Sequence, residues 1–327
     1  MSPYALGTFS IDDGPRFTGL VRDGQVASLA ELSAEGGATA AIAALSVLGL
    51  LQDWRQNEPL LDKIARFPRT DATWLPVDAL VIHPPVDLPR QIFCTGANYR
   101  RHVIDMTIDM GVGPEGLSRD ELRDWAAKMM DERAATGDPY VFTKVVSTIA
   151  GANDTLVLPD TTAQPDWELE LGVIIGIGGY RIARADAMAH VAGYAIVNDI
   201  SARDLIPRTD YKMLGTDWMR AKGQPGFLPF GPYLVPAKFV ADPMNLRLRL
   251  SVEGEIMQNE TTADMIFDIA RQIEYISTYA QLLPGDLICT GSPAGNGTHY
   301  NRYLRDGDLM IGEIEGLGSQ RIWCRAG

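Results

Sequence analysis

Cysteine and histidine are scarce in this chain of 327 residues. The three cysteines, Cys94, Cys289 and Cys324, are odd in number and far apart, and no CxxC pair occurs. That spacing argues against a disulfide framework and a thiolate zinc site, and it fits a reducing, cytoplasmic setting. Basic runs are missing too: 29 Lys and Arg stand against 42 Asp and Glu, a formal net charge of -13. Neither a nucleic acid nor an anionic membrane is expected as a partner, since both select clustered positive charge. No apolar run reaches the about 20 residues needed to cross a bilayer. The longest, residues 38–51, reads as a buried helix. The opening MSPYALGTFS has no basic segment leading into an apolar core, so no signal peptide is expected. Internal repeats and low-complexity tracts are also absent. Strands do not alternate regularly with helices, so a doubly wound parallel sheet is not indicated.

What is present suits a globular enzyme. Hydrophobic residues make up 46% and charged residues 22%, enough for a sizeable core. The first 85 residues read as a small α+β unit. A hairpin turns at Asp23-Gly24, and helical patterns follow over residues 38–52 and 60–67. Pro84, Pro85 and Pro89 mark residues 81–89 as an extended linker, so a second domain is expected over residues 86–327. Short strands dominate that domain, at residues 91–95, 167–175, 191–198 and 246–252. Ser118 and Glu121 form a capping-box pattern that opens a helix over residues 118–135, and Gly137 ends it. Isoleucines 266, 269, 273 and 276 mark a second helix, over residues 264–280.

Five segments carry chemistry. In Asp166-Trp167-Glu168-Leu169-Glu170, the three acids share one face of a strand, with neighbours about 6.6 Å apart. Carboxylates that close repel one another unless a cation neutralises them, and a hard divalent ion with oxygen ligands is the natural partner. A wet acidic edge strand is the plainer alternative. Asp199 follows the apolar strand 191–198 and is placed to be a third ligand, or simply to cap a turn. His102 and Asp105 are three apart and meet if their turn is helical; a carboxylate beside an imidazole fixes its tautomer and raises its basicity. Lys222 lies in a Gly/Pro-rich loop, where it is either solvated or stabilises an oxyanion. The run Thr290-Gly291-Ser292-Pro293 offers backbone N–H groups and hydroxyls to a carboxylate. Histidines 83, 190 and 299 read as structural or exposed. Gly176-Ile177-Gly178-Gly179 lacks the third glycine of a dinucleotide loop, and Ser292 lacks the order of a nucleophile elbow.

Taken in order, the segments GANYRRH, YVFTK, DWELELGVIIG, GYAIVNDISARD, KG…PFGP and LLPGDLICTGSPAGNG resemble the fumarylacetoacetate hydrolase family from about Gln91 to Gly318. The resemblance implies an α+β, mainly β fold: a mixed β-roll catalytic domain with a smaller N-terminal α+β domain, assembled as a homodimer. It implies Glu168, Glu170 and Asp199 as ligands of Mg2+ or Mn2+. It makes His102 with Asp105 a water-activating pair and places Lys222 near the substrate oxyanion. Tyr99, Lys144, Arg203 and Ser292 become candidates for contact with a small 2-oxo acid, Lys144 as a pocket-lining residue and Ser292 where the family usually has threonine. Residues 106–138 are longer than in compact members and take the place of a lid. The expected activity is hydrolysis of a C–C bond in an acylpyruvate-type 2-oxo acid. Isomerisation, decarboxylation or dehydration of a 2-oxo or 2-keto-3-deoxy sugar acid is the alternative.

Overall fold

The computed structural model describes residues 3–33 and 37–327; the first two residues of the segment read for a signal peptide lie outside them. The described residues form a six-stranded sheet, two five-stranded sheets and two of two strands. The hairpin at Asp23-Gly24 forms as expected, joining the strands Phe17–Arg22 and Gln25–Ser28. Residues 38–52 are a 3-10 turn, Ala38–Ile42, and a short helix, Val47–Gln52, rather than one helix. The expected linker is partly a strand: Val81–His83 pairs with Ala5–Ser10 and completes the first sheet. The prolines lie just beyond the paired residues, so they end the ladder without blocking it. The N-terminal sheet packs against the rest of the chain. Leu6 bridges to Leu234, and Leu6 and Leu20 share a buried cluster with Ile92, Ile174 and Leu228.

The six-stranded sheet positions the site. Its order is Val235–Pro236, Val191–Asn198, Leu169–Ile175, Leu287–Cys289, Ile92–Gly96 and Tyr140–Thr143. Leu169 pairs with Asn198, Cys289 with Cys94, and Gly96 with Tyr140. One edge of the sheet therefore gathers the start of Leu169–Ile175 and the ends of Val191–Asn198, Leu287–Cys289 and Ile92–Gly96. The central strands Leu169–Ile175 and Val191–Asn198 are buried throughout, which explains their nearly continuous apolar sequence.

Two helices lie over that edge. Arg100–Asp109 carries His102. Arg119–Thr136 packs against it through Val103, Ile104, Ile108, Ala126 and Met130. Its capping box is complete: Ser118 accepts from the Glu121 backbone, and the Glu121 carboxylate accepts from the Ser118 backbone. The helix expected over residues 264–280 starts later, as Ile269–Tyr279, because Asp268 caps it by accepting from the Arg271 N–H. No helix among the described residues is long and apolar enough to cross a membrane.

Candidate active site

The acidic segment does not run as one uninterrupted strand. Pro165–Asp166 pairs with Ser201–Ala202, and the ladder to Val191–Asn198 starts only at Leu169. Glu168 sits in the gap. Its N–H donates to the Asn198 side chain, and its carbonyl accepts from the Asp199 N–H. Asp166 consequently leaves the acidic face. It caps the start of the helix Gly297–Tyr300 by accepting from Gly297 N–H at 2.6 Å, and it accepts from Arg203 Nε at 2.8 Å. Glu168, Glu170 and Asp199 converge instead, all buried, each with an oxygen within 4.8 Å of the others.

Cations surround this triad unevenly. Lys222 ends the short helix Trp218–Lys222 rather than lying in a loop. Its Nζ donates to Glu168 Oε2 at 2.8 Å, Asp199 Oδ2 at 2.6 Å and the Asp199 carbonyl at 3.1 Å. Those three bonds use every donor of the ammonium, so none is left for an oxyanion in this arrangement. Burial alone would lower the pKa of Lys222; the Asp199 and Glu168 carboxylates outweigh it and hold it raised. Arg203 bridges Asp166 and Glu168. Burial pushes the Glu168 carboxyl upward, but Arg203 and Lys222 outweigh that and bring it down to about 2.

Glu170 has no such partner. It accepts from Gly291 N–H at 2.8 Å. Burial, followed by the Asp199 charge, lifts it well above the usual carboxylate range. Gly291, at φ 103°, permits this contact: a Cβ there would lie 2.8 Å from the Asn98 Cβ and 2.9 Å from the Thr95 carbonyl oxygen. Three buried carboxylates, one lacking any cationic side chain, fit a hard divalent cation with oxygen ligands.

His102 is buried, and both burial and its surroundings matter. Burial lowers its pKa to about 4, with Glu168 the strongest opposing charge and Asp105 a weaker one. The turn is helical, as the spacing implied, yet no hydrogen bond joins His102 to Asp105 among the described residues. Asp105 pairs instead with Arg123 at 3.3 Å and Arg101 at 3.7 Å, and it lines a narrow crevice together with His102.

Lys144 is fully enclosed and does not line the cavity. Its Nζ donates to Asp199 Oδ1 at 2.6 Å and to the carbonyls of Phe227 and Ile200, fixing the carboxylate from behind. Tyr99 also misses the cavity; its buried hydroxyl has no hydrogen-bond partner among the described residues. Ser292 does face it, and its hydroxyl accepts from Gln258 Nε2 at 3.0 Å.

His102, Glu168, Glu170, Asp199, Arg203 and Lys222 meet at a cavity of about 470 Å³. Residues 111–138 contribute nothing to its lining. Their helix supports the helix of His102, and Arg133 holds the loop before it by donating to the Ala97 carbonyl. Sequence reasoning missed the far walls, which include Met106, Met110, Phe142 and Trp218. The two methionines were findable, since they follow His102 at steps of four. Trp218 stands four residues before Lys222, at the same spacing, while its aromatic partners Tyr140 and Phe142 are remote in sequence. Histidines 83 and 190 bond to Ser10 and to the Ile177 carbonyl. His299 pairs with Asp109 at 2.8 Å beside a narrow crevice that His102 also lines.

Known proteins share this arrangement of elements and sequence. A 2,4-didehydro-3-deoxy-L-rhamnonate hydrolase of Sphingomonas sp. is 43% identical over 187 residues, 56% of this chain and 64% of that protein, slightly less than two thirds of its length. A mitochondrial oxaloacetate tautomerase of Bos taurus is 34% identical over 265 residues, 80% of this chain and 75% of that protein. The solved structure of a fumarylacetoacetate hydrolase from Exiguobacterium antarcticum superposes with a TM-score of 0.74 at 28% identity, covering 99% of this chain and 100% of the other. The family profile for the fumarylacetoacetate (FAA) hydrolase C-terminal region matches residues 91–322, the stretch that supplies every residue of the cavity, and the chain belongs to the fumarylacetoacetate hydrolase family.

Proposed function

We propose that this protein is a divalent-metal-dependent hydrolase that cleaves a C–C bond in an acylpyruvate-type 2-oxo acid. The observation that carries this reading is a buried histidine, His102, facing the same cavity as three converging carboxylates. Glu168, Glu170 and Asp199 would hold Mg2+ or Mn2+, which when bound supplies a Lewis acid for the 1-carboxylate and 2-oxo oxygens of the substrate.

His102, neutral at pH 7, takes a proton from water as the water oxygen attacks the distal carbonyl. Collapse of the adduct breaks the C–C bond, releasing a carboxylic acid and the enolate of pyruvate, which regains a proton from His102. Lys222 and Lys144 fix Asp199, and Lys222 and Arg203 fix Glu168, so the ligands are held before substrate arrives. Lys222 adds positive charge at the cavity wall. Ser292 offers its hydroxyl to the substrate carboxylate.

Two relatives named as hydrolases support cleavage. The tautomerase relative favours a second reading, in which the same site moves a proton of a 2-oxo acid without cleavage. Product analysis on a panel of acylpyruvates, oxaloacetate and 2-keto-3-deoxy sugar acids, with Mn2+, Mg2+ or chelator, separates them. Metal-dependent release of pyruvate and a free acid establishes the hydrolase. A tautomer, CO2 or loss of water in its place overturns it. A homodimer in a reducing, cytoplasmic setting completes the proposal; all three cysteines are free and buried, and light scattering tests the dimer.

A further inference from the structure

Gln258 is wholly buried on the strand Glu255–Thr261 and bonds to Ser292, which lines the cavity. Its side-chain amide meets three partners. Oε1 accepts from the Leu169 N–H at 3.1 Å, while Nε2 donates to the Pro293 carbonyl at 2.9 Å and to Ser292 Oγ at 3.0 Å. Two of these partners fix which end of the amide is which. A backbone N–H only donates and a carbonyl only accepts, so turning the amide over would set donor against donor and acceptor against acceptor. Both hydrogens of Nε2 are therefore taken, one by Pro293 and one by Ser292. Ser292 Oγ accepts, and its own proton must point elsewhere. Among the described residues that proton has the Pro293 carbonyl, at 3.3 Å. Such a distance is longer than the about 2.5–3.0 Å of a good O–H···O bond, and the same carbonyl already accepts from Gln258. The proton is weakly held and can turn to an acceptor in the cavity. The other end of the amide reaches the carboxylates, since Leu169 lies between Glu168 and Glu170.

We propose that Gln258 is a positioning residue: it holds Ser292 as a hydrogen-bond donor toward the cavity, so that this point of the cavity selects a group that only accepts, the carboxylate of a 2-oxo acid. The inference rests on the Ser292 contact in the function proposed above and extends it to a residue that touches no substrate. A carboxylate has no hydrogen to offer, so a hydroxyl already accepting from Gln258 matches it, and hydrogen bonds to a charged acceptor are the strong ones. The amide also braces the backbone between Glu168 and Glu170 against the loop of Ser292, whose neighbour Gly291 donates to Glu170.

Calorimetric binding of pyruvate to the Mn2+-saturated protein tests this without requiring cleavage. Ser292→Ala should weaken binding about 10-fold or more, as expected for loss of a hydrogen bond to a charged group. Gln258→Met roughly keeps the length of the side chain, removes its donor and leaves the Pro293 carbonyl to take the serine proton; it should weaken pyruvate by a similar factor. Made in the Ser292→Ala protein, the same replacement should change affinity by less than about 2-fold, the agreement shown by sites that do not act through one another. Equal losses in the two backgrounds would make Gln258 a core-filling residue and overturn the inference, as would an unaltered affinity in Ser292→Ala. If the methionine variant does not fold, Gln258→Glu takes its place in the same cycle, since it keeps an acceptor for the Leu169 N–H and has at most one donor where the amide has two. Failure of the unaltered protein to bind pyruvate would remove the carboxylate contact and the inference with it, whereas the hydrolase reading is decided separately by the products formed.

Discussion

His102 illustrates how environment rather than residue type sets chemistry. An exposed histidine is partly protonated near neutrality, whereas burial holds this one neutral down to about pH 4. Activity on a cleaved substrate should therefore persist well below pH 6.5, and an acid limb centred near 6.5 in kcat/KM would contradict the role given to His102. The linkage has a defined sign. The folded protein binds fewer protons at His102 than the unfolded chain does, so the stabilising contribution is present above pH 6.5 and is lost as pH falls toward 4. His102→Ala should lower kcat by about 10²- to 10⁴-fold, the usual range for a general base. Mn2+ affinity should stay within a few-fold, since His102 is not one of the three converging carboxylates. Full activity in that variant would remove His102 from the mechanism.

Asp105 shows the limit of reading spacing. Three residues along a helix bring two side chains to one side, but the choice of partner belongs to whatever else reaches them. Arg123 comes from the following helix, and it pairs with Asp105. The same holds for Lys144 and Lys222. Their identity as lysines was legible, but their burial against Asp199 depends on chain segments 55 and 23 residues away. Removing the positive charge with Lys144→Met leaves Asp199 short of a buried partner, a loss of about 3–5 kcal/mol for a broken buried pair. A urea midpoint measured in chelator checks this, and an unchanged midpoint would show that the pair contributes nothing.

At the scale of elements, local signals were reliable wherever local bonds decide. The capping box at Ser118 and Glu121 placed the start of the helix Arg119–Thr136 correctly. Ser118→Ala should cost about 0.5–2 kcal/mol of helix stability. Amide exchange should quicken throughout Arg119–Thr136, and no change there would mean the box is redundant with packing. The acidic strand was less legible. Asp166, Glu168 and Glu170 alternate perfectly in sequence, yet the ladder changes partner between Asp166 and Leu169 and sends Asp166 elsewhere. Alternation describes a continuous strand, and it carries no information about where pairing is interrupted.

For the whole molecule, the triad links metal binding to folding. Its carboxylates come from chain segments that meet only in the folded state, so a cation held there as proposed would bind the native protein and not the unfolded chain. At a free concentration of 100 times its Kd, Mn2+ should add about 2.7 kcal/mol of stability, seen as a higher Tm. Glu170→Gln should abolish most of that increment, because Glu170 is the carboxylate of the triad with no cationic side chain to replace the proposed ion. A shift equal to that of the unaltered protein would place the ion elsewhere.

By itself the sequence determined the acidic composition, the caps, the hairpin at Asp23-Gly24, the central apolar strands and the ordered segments that carry the family resemblance. These are matters of neighbouring residues, where periodicity and side-chain chemistry act within a few positions. Only the tertiary structure decided which carboxylates converge, which lysines face them, and that Phe142 and Trp218 join the wall of the cavity. Each of those depends on contacts between segments far apart in the chain, set by strand register and by which partner a buried charge finds when water is excluded.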